Sequence, residues 1–210
     1  MRESFRTLVN ALLAGIFIGI AGTVYLSVKN PVAGAVLFGF GLMTIVCYGF
    51  KLYTGAIGYL ANQGRKTFSY CRTLLLIWCG NFCGTWLVGT LVRHSRVFAR
   101  LDARVGAMCA EKLNDGLPSL LILAFFCGIL MYVAVETYRR EDLAPVFRFF
   151  TVFLCVTIFI LSGFEHCIAD MFYFSAANVW CGKTLLVTLW LTLGNSLGGM
   201  LLPVMDKFRK

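Results

Sequence analysis

The stretch GFEHCIADMFYF, Gly163 to Phe174, decides how this chain is read. Long apolar sequence flanks it on both sides, yet six consecutive residues hold Glu165, His166 and Asp170. Ionisable groups inside an apolar segment are costly. Insertion scales put a central charge at about 2.5–3.5 kcal/mol, so such groups face a cavity, a partner or the protein interior rather than lipid. The question is what surrounds this stretch.

The chain has 210 residues, of which 59% are hydrophobic and only 14% charged. Soluble domains carry about 25% charged residues. Six apolar segments follow one another, at roughly 9–28, 32–62, 73–92, 118–135, 146–177 and 184–204. Runs of this length and purity are the mark of membrane-spanning helices. The expected class is an all-α polytopic membrane protein, one transmembrane domain over 1–210. The N-terminal MRESFRTLVNALLAGIFIGIAGTVYLSV has arginines before an apolar run, as a secretory signal does. Its apolar run is longer than a signal core, so it reads as an uncleaved first span. The polar joints are short except at 93–117. There RHSRVFARLDARVG mixes apolar and basic residues and suits the membrane interface.

Lysine and arginine set the orientation. With the N-terminus inside, the inner segments hold Arg2, Arg6, Arg65, Lys66, Arg72, Arg139, Arg140, Arg148, Lys207, Arg209 and Lys210, eleven cations. The outer segments hold Lys29, Arg93, Arg96, Arg100, Arg104, Lys112 and Lys183, seven cations. Both termini are therefore expected on the cytoplasmic side of the inner membrane. The net charge of +9 follows this bias and calls for no nucleic-acid partner. The nine cysteines form no ligand cluster and read as small buried hydrophobes, so no metal and no cofactor is expected.

A shift of 114 residues superposes the chain on itself. Pro31-Val32 meets Pro145-Val146, Gly49-Phe50 meets Gly163-Phe164, and Tyr59 meets Tyr173. Gly80-Asn81 meets Gly194-Asn195, and Gly84 meets Gly198. Matches at Pro, Gly and Asn carry more weight than apolar ones in such a composition. The expectation is two copies of a three-helix unit, about 9–92 and 118–204, the second inverted because three spans reverse the chain. Sites in such proteins lie near the midplane, where broken helices from the two copies meet. The shift also lays GFKLYTGAIGYL, Gly49 to Leu60, on GFEHCIADMFYF, so helices two and five are expected to break at these two stretches. Irregular backbone at membrane depth lines a cavity or is buried in protein. The N–H groups of each resuming half-helix then point inward, where they suit an anion.

Several side chains become candidates. Lys51 and Glu165 occupy equivalent positions with opposite charge, which predicts an ion pair across the repeat axis. His166 supplies an imidazole, which titrates near neutrality. It can give a hydrogen bond or a proton to an anion of a weak acid, whose neutral form crosses apolar surroundings far more cheaply. Asn81 and Asn195 offer amides that either hold broken backbone or touch the permeant.

These residues resemble the formate/nitrite transporter family of anion channels, over roughly residues 10–205. GFEHCIADMF is similar to the family's GFEHxxANMF signature, LYTG at 52–55 to its LFTG loop, and GNSLGG at 194–199 to its GN-x-x-GG motif. The resemblance implies six helices in an aquaporin-like fold, assembled as a homopentamer with one pore per protomer. It implies pore-lining roles for His166, Thr54 and Asn195. It also implies an anion-attracting vestibule lysine, which the spacing places at Lys112. Leu52 and Phe164 are the expected apolar constrictions. Three positions depart from the pattern: Cys127-Gly128 stands for a Cys-Asn pair, Asp170 for an asparagine, and Lys51 for an acidic residue before the LFTG-like loop. The expected function is conduction of small anions such as formate, nitrite or hydrosulfide, with protons as a co-substrate through His166. An aquaporin-like pore for neutral solutes is the alternative, suggested by NPVA at 30–33, but the second copy reads APVF. No motif of a cofactor enzyme or a paired-thiol redox protein is visible.

Overall fold

The computed structural model describes residues 2–209; Met1 and Lys210, the last of the counted inner cations, lie outside that range. The described residues are entirely helical, without strands. The helices are α1 (Arg2–Ser27), α2 (Pro31–Tyr48), α3 (Tyr53–Ala56), α4 (Thr67–Arg93), α5 (Asp102–Asn114), α6 (Leu117–Arg139), α7 (Pro145–Leu161), α8 (Cys167–Ala177) and α9 (Gly182–Arg209). Five helical stretches are long and apolar enough to cross a bilayer, while α7 and α8 are shorter apolar helices. The fold is that of an integral multi-pass membrane protein.

Local chemistry explains the helix starts. The Asn30 side chain accepts the Ala33 N–H at 3.0 Å, and Pro31 occupies the first turn of α2. Both satisfy or remove orphan donors that a helix start leaves open. Pro145 opens α7 in the same way. At the far end of α1, the Arg104 guanidinium from α5 donates to the carbonyls of Tyr25, Leu26 and Val28 at 2.9, 3.2 and 2.7 Å. It also lies 4.5 Å from the centroid of the Tyr25 ring. Arg104 is thus a helix C-cap rather than a free surface charge.

Helix α1 packs along α4, and α6 packs along α9; α2 crosses α7, and α8 seats against α4. Close backbone approach makes these pairs. A Cβ on Gly15 would overlap the Asn81 carbonyl, and one on Gly128 would overlap the Asn195 carbonyl. Gly128 therefore has a packing reason: any side chain there would push α6 off α9. The outward faces carry large exposed apolar side chains, among them Leu37, Phe40, Leu75, Phe150, Leu185 and Leu189. In water such a surface would mark aggregation, but for a spanning protein it meets lipid tails or another copy.

The cysteines only partly match the expectation of burial. Cys109, Cys127, Cys155 and Cys167 are buried, whereas Cys47, Cys71, Cys83 and Cys181 are exposed. A thiol facing lipid loses nothing by exposure, so an apolar environment does not require an interior position.

Candidate functional site, where two interrupted segments meet

Helix α2 ends at Tyr48 because Gly49 turns left-handed, at φ +68°. Helix α7 ends before Gly163, also at φ +68°. Glycine takes this conformation without the Cβ penalty. The Phe50 N–H then returns to the Ile45 carbonyl at 2.9 Å, and the Phe164 N–H to the Phe159 carbonyl at 2.9 Å. The chain runs extended through Leu52 and through His166 before helix resumes at Tyr53 and Cys167. The two resumptions differ. Helix α8 continues for 11 residues, whereas α3 makes four residues and passes into 3-10 turns at Ile57–Asn62 and Gly64–Lys66.

Buried asparagines hold both interruptions. Asn81 Oδ1 accepts the Tyr53 N–H at 2.9 Å, and its Nδ2 donates to the Ala11 and Lys51 carbonyls at 2.8 Å each. Asn195 Oδ1 accepts the Cys167 N–H at 2.9 Å, and its Nδ2 donates to the Ala124 and Glu165 carbonyls at 2.7 and 2.8 Å. Each amide spends its oxygen and one hydrogen on backbone that has left helical geometry and its other hydrogen on a carbonyl of a neighbouring helix, α1 or α6. Such backbone has no water to turn to at membrane depth. Asn195 lies among neither set of cavity-lining residues below, so its place here is that of a backbone clamp.

Two cavities approach the interruptions and share no lining residue. One, of about 400 Å³, is lined by Leu52, Lys51, Tyr59, Gln63, Tyr138 and Arg139 among others. The second, of about 220 Å³, is lined by Phe164, His166, Lys112, Glu165, Asp170 and Tyr173 among others. Between them Thr54 Oγ1 and His166 Nε2 sit 2.8 Å apart, with Thr54 fully buried and His166 2% exposed. His166 Nδ1 accepts the Ala169 N–H at 3.1 Å and so caps α8. A nitrogen that accepts a backbone N–H carries no proton, which places the ring's one proton on Nε2, donated to Thr54. The Thr54 hydroxyl proton is then left to point elsewhere. The imidazole also stacks on Phe159, with centroids 5.7 Å apart. Phe164 stacks on Phe126 at 5.4 Å, and Leu52 is 4% exposed.

The expected ion pair between Lys51 and Glu165 does not form. Glu165 pairs instead with Lys112, which also reaches Asp170 Oδ1 at 3.0 Å. Lys51 is exposed at the wall of the other cavity. Sequence equivalence brings positions to matching depths, but two interrupted segments opening into opposite cavities point their charges apart. Lys112, expected as a vestibule attractor, is only 12% exposed and is held by both carboxylates. Burial acts against its ammonium, but the Asp170 and Glu165 charges outweigh burial and raise its pKa. Asp170, which had no assigned role in the sequence, is the second partner of that lysine. Phe159 and Tyr173 also belong to the site; Tyr173 was marked in the sequence only as the match of Tyr59, and nothing but its neighbourhood in space distinguishes Phe159 from the other aromatics. Among the described residues no group of side chains is placed to hold a metal ion.

Membrane-crossing helices, two cavities and a polar pair between them define a polytopic membrane protein with a polar interior. The sequence pattern described as "Formate/nitrite transporter" matches residues 1–207, and the chain belongs to that family. It is 27% identical over 188 residues to the formate channel FocB of Escherichia coli K12, covering 81% of this chain and 66% of that one, just under two thirds of its length. It is 25% identical over 238 residues to the nitrite transporter NirC of the same organism, covering 96% of this chain and 87% of that one. Among solved structures, an FNT family ion channel superposes with a TM-score of 0.85 at 20% identity, over 98% of this chain and 90% of that one. A pentameric formate channel with formate bound superposes with a TM-score of 0.79 at 22% identity, over 99% and 97%.

Proposed function

We propose that this protein is a channel for small monovalent anions of weak acids, of the formate, nitrite or hydrosulfide class, in the cytoplasmic membrane. The observation that carries the reading is the Thr54–His166 pair, buried between two cavities that approach from opposite ends of the molecule. A small anion arriving between Leu52 and Phe164 must shed its water. The Thr54 hydroxyl, whose oxygen already accepts from His166, donates its proton to the anion in exchange. The imidazole holds that hydroxyl in orientation and supplies a proton route if the acid crosses as the neutral species.

In this reading the chain is one transmembrane domain of two inverted three-helix units. Helices two and five are broken, the first into α2 and α3 and the second into α7 and α8. Recurrence of the asparagine clamps at a spacing of 114 residues supports it. Both termini face the cytoplasm. Five copies surround a shared axis and each conducts through its own pore, in line with the pentameric formate channel that this fold matches. Lys51, exposed at the inner cavity, is the cation best placed to concentrate anions there.

The test is flux into proteoliposomes. Formate, nitrite, hydrosulfide, acetate and lactate are compared across pH, with water and glycerol as neutral solutes. Selective, saturable passage of the smallest anions is expected. Passage of neutral solutes without anions would support an aquaporin-like pore instead. His166→Phe is expected to change the pH dependence of formate flux and any accompanying proton movement. An unaltered profile at every pH would remove His166 from proton coupling.

A further inference from the structure

The charges at the floor of the second cavity do not balance. A single ammonium, Lys112, serves two carboxyl groups, Glu165 and Asp170. The Asp170 side chain is 2% exposed, and its Oδ2 is buried with no hydrogen-bond partner. If all three groups were ionised, the cluster would hold an uncompensated negative charge in a desolvated place. Two carboxylates on one site resist double ionisation, and a buried unpaired charge is strongly unfavourable.

Among the described residues no other cation lies within ion-pair distance of either carboxylate. Arg104 lines the same cavity but turns its guanidinium to carbonyls at the end of α1, and the N-terminus of α8 supplies only partial positive charge. Elsewhere on α5, Glu111 is exposed and Cys109 is a thiol. Helix α1 presents Tyr25, α6 presents Cys127, and α8 with its preceding turn presents His166, Cys167 and Tyr173. Helix α4 sends Arg93 to the Ala176 carbonyl at the opposite end of α8. Helix α9 carries its ionisable groups only near its ends, at Lys183 and at Asp206, Lys207 and Arg209. His166 cannot be the store for an extra proton while its Nδ1 caps α8.

We propose that Asp170 and Glu165 share one exchangeable proton beside Lys112, so that this cluster is a proton-binding site whose loading sets the charge an arriving anion meets. The consequence for transport rests on the anion-channel reading above; the proton site itself does not. Loaded, the cluster is an ammonium, a carboxylate and a carboxylic acid, with no net charge. The proton leaves when the carboxylic O–H bond breaks and the proton passes to cavity water or to the anion, which becomes its acid. The unloaded cluster then carries one negative charge and opposes further anions until water on that side returns a proton. Asp170, rather than Lys112 alone, thereby determines how the mouth of this cavity responds to pH.

Infrared spectroscopy of the purified full-length protein tests the site. At about neutral pH the wild type is expected to show the C=O stretch of a protonated carboxylic acid, shifted in D2O. The band should vanish on strong alkalinisation and in Asp170→Asn, and also in Glu165→Gln, which leaves one carboxylate for one ammonium. Absence of the band in the wild type, with or without sodium, overturns the proposal, as does its persistence in both variants. The transport consequence is read separately. Formate influx from the α5 side, corrected for the fraction of neutral acid, should fall about tenfold from about pH 5 to about pH 8, and by no more than about twofold in Asp170→Asn. Equal falls in the two proteins overturn the control of charge by Asp170. A wild type that passes no anion removes the channel reading while the infrared result stands or falls on its own.

Discussion

At the scale of single residues, the site separates groups that hold backbone from groups left between the two cavities. Asn195 makes three hydrogen bonds to main chain and none to a cavity. Asn195→Ala would leave the buried Cys167 N–H and the Glu165 carbonyl without their partner, each worth about 1–3 kcal/mol, and would also remove the bond to the Ala124 carbonyl of α6. The expected result is a drop of about 3 kcal/mol or more in stability, seen as a large fall in the temperature at which the detergent-solubilised protein loses its fold. Thr54→Val keeps the shape and removes the hydroxyl. It leaves one buried donor, His166 Nε2–H, without its acceptor, so stability should fall by about 1–3 kcal/mol, less than in Asn195→Ala, while formate flux falls by about tenfold or more. The two variants thus fail in different assays, and the reverse pattern would exchange their roles. Cys181 offers a further residue-scale handle. Its exposed thiol is hydrogen-bonded to Thr184 at 3.4 Å, which lowers its pKa from the ordinary cysteine value. Its thiolate therefore persists to lower pH than an ordinary cysteine's, and the pH midpoint of its maleimide labelling should lie below that of free cysteine.

At the scale of elements, the interruptions and the helix contacts depend on glycine for two different reasons. Gly49 and Gly163 have positive φ and open space where a Cβ would go. Alanine there costs about 1–2 kcal/mol of backbone strain and meets no neighbour. Gly128 has ordinary helical backbone, but a Cβ would enter the Asn195 carbonyl. Gly128→Ala must part α6 from α9 and disturb the clamp on Glu165 and Cys167. Thermal denaturation should therefore rank Gly128→Ala well below Gly163→Ala. The stops of α2 and α7 at Gly49 and just before Gly163 were legible in the sequence because Gly, Pro and Asn recur at a fixed spacing around GFKLYTGAIGYL and GFEHCIADMFYF. The unequal helices that follow them were not. The four-residue α3 and the 11-residue α8 start from similar sequences. Tyr53 finds Ser196 at 2.9 Å and Tyr70 finds the Ala56 carbonyl at 2.8 Å, contacts made by side chains remote in sequence.

At the scale of the whole molecule, apolar helices wrap a small polar interior that opens at both ends. The inner-termini orientation predicts a labelling pattern. In right-side-out vesicles, a membrane-impermeant maleimide should modify Cys181 from outside, while a cysteine placed at exposed Glu141 should react only after permeabilisation. Labelling of both from one side would contradict an odd number of spans between them. Pentameric assembly should appear as a five-fold protomer mass in native mass spectrometry. Lys51→Glu should slow anion flux from the inner side more than from the outer side, because Lys51 lines only that cavity.

Read alone, the sequence was enough for the membrane class, the family and the two stretches where α2 and α7 give way to non-helical backbone. Those follow from composition and from short motifs, which are properties of the chain alone. It also marked Thr54, His166 and Lys112, but as members of a pattern without partners. Which side chains meet follows from the folded arrangement. It set His166 on Thr54 and moved Glu165 from Lys51 to Lys112. It turned Asn195 inward to backbone and gave Asp170 a charged neighbour with one oxygen unmatched. Pairings of this kind depend on the angles at which α5, α8 and α9 cross, and those angles are set by packing across the whole interior rather than by any local run of residues. GFEHCIADMFYF announced three ionisable groups in an apolar segment; the fold assigned one to α8's cap and two to a single lysine.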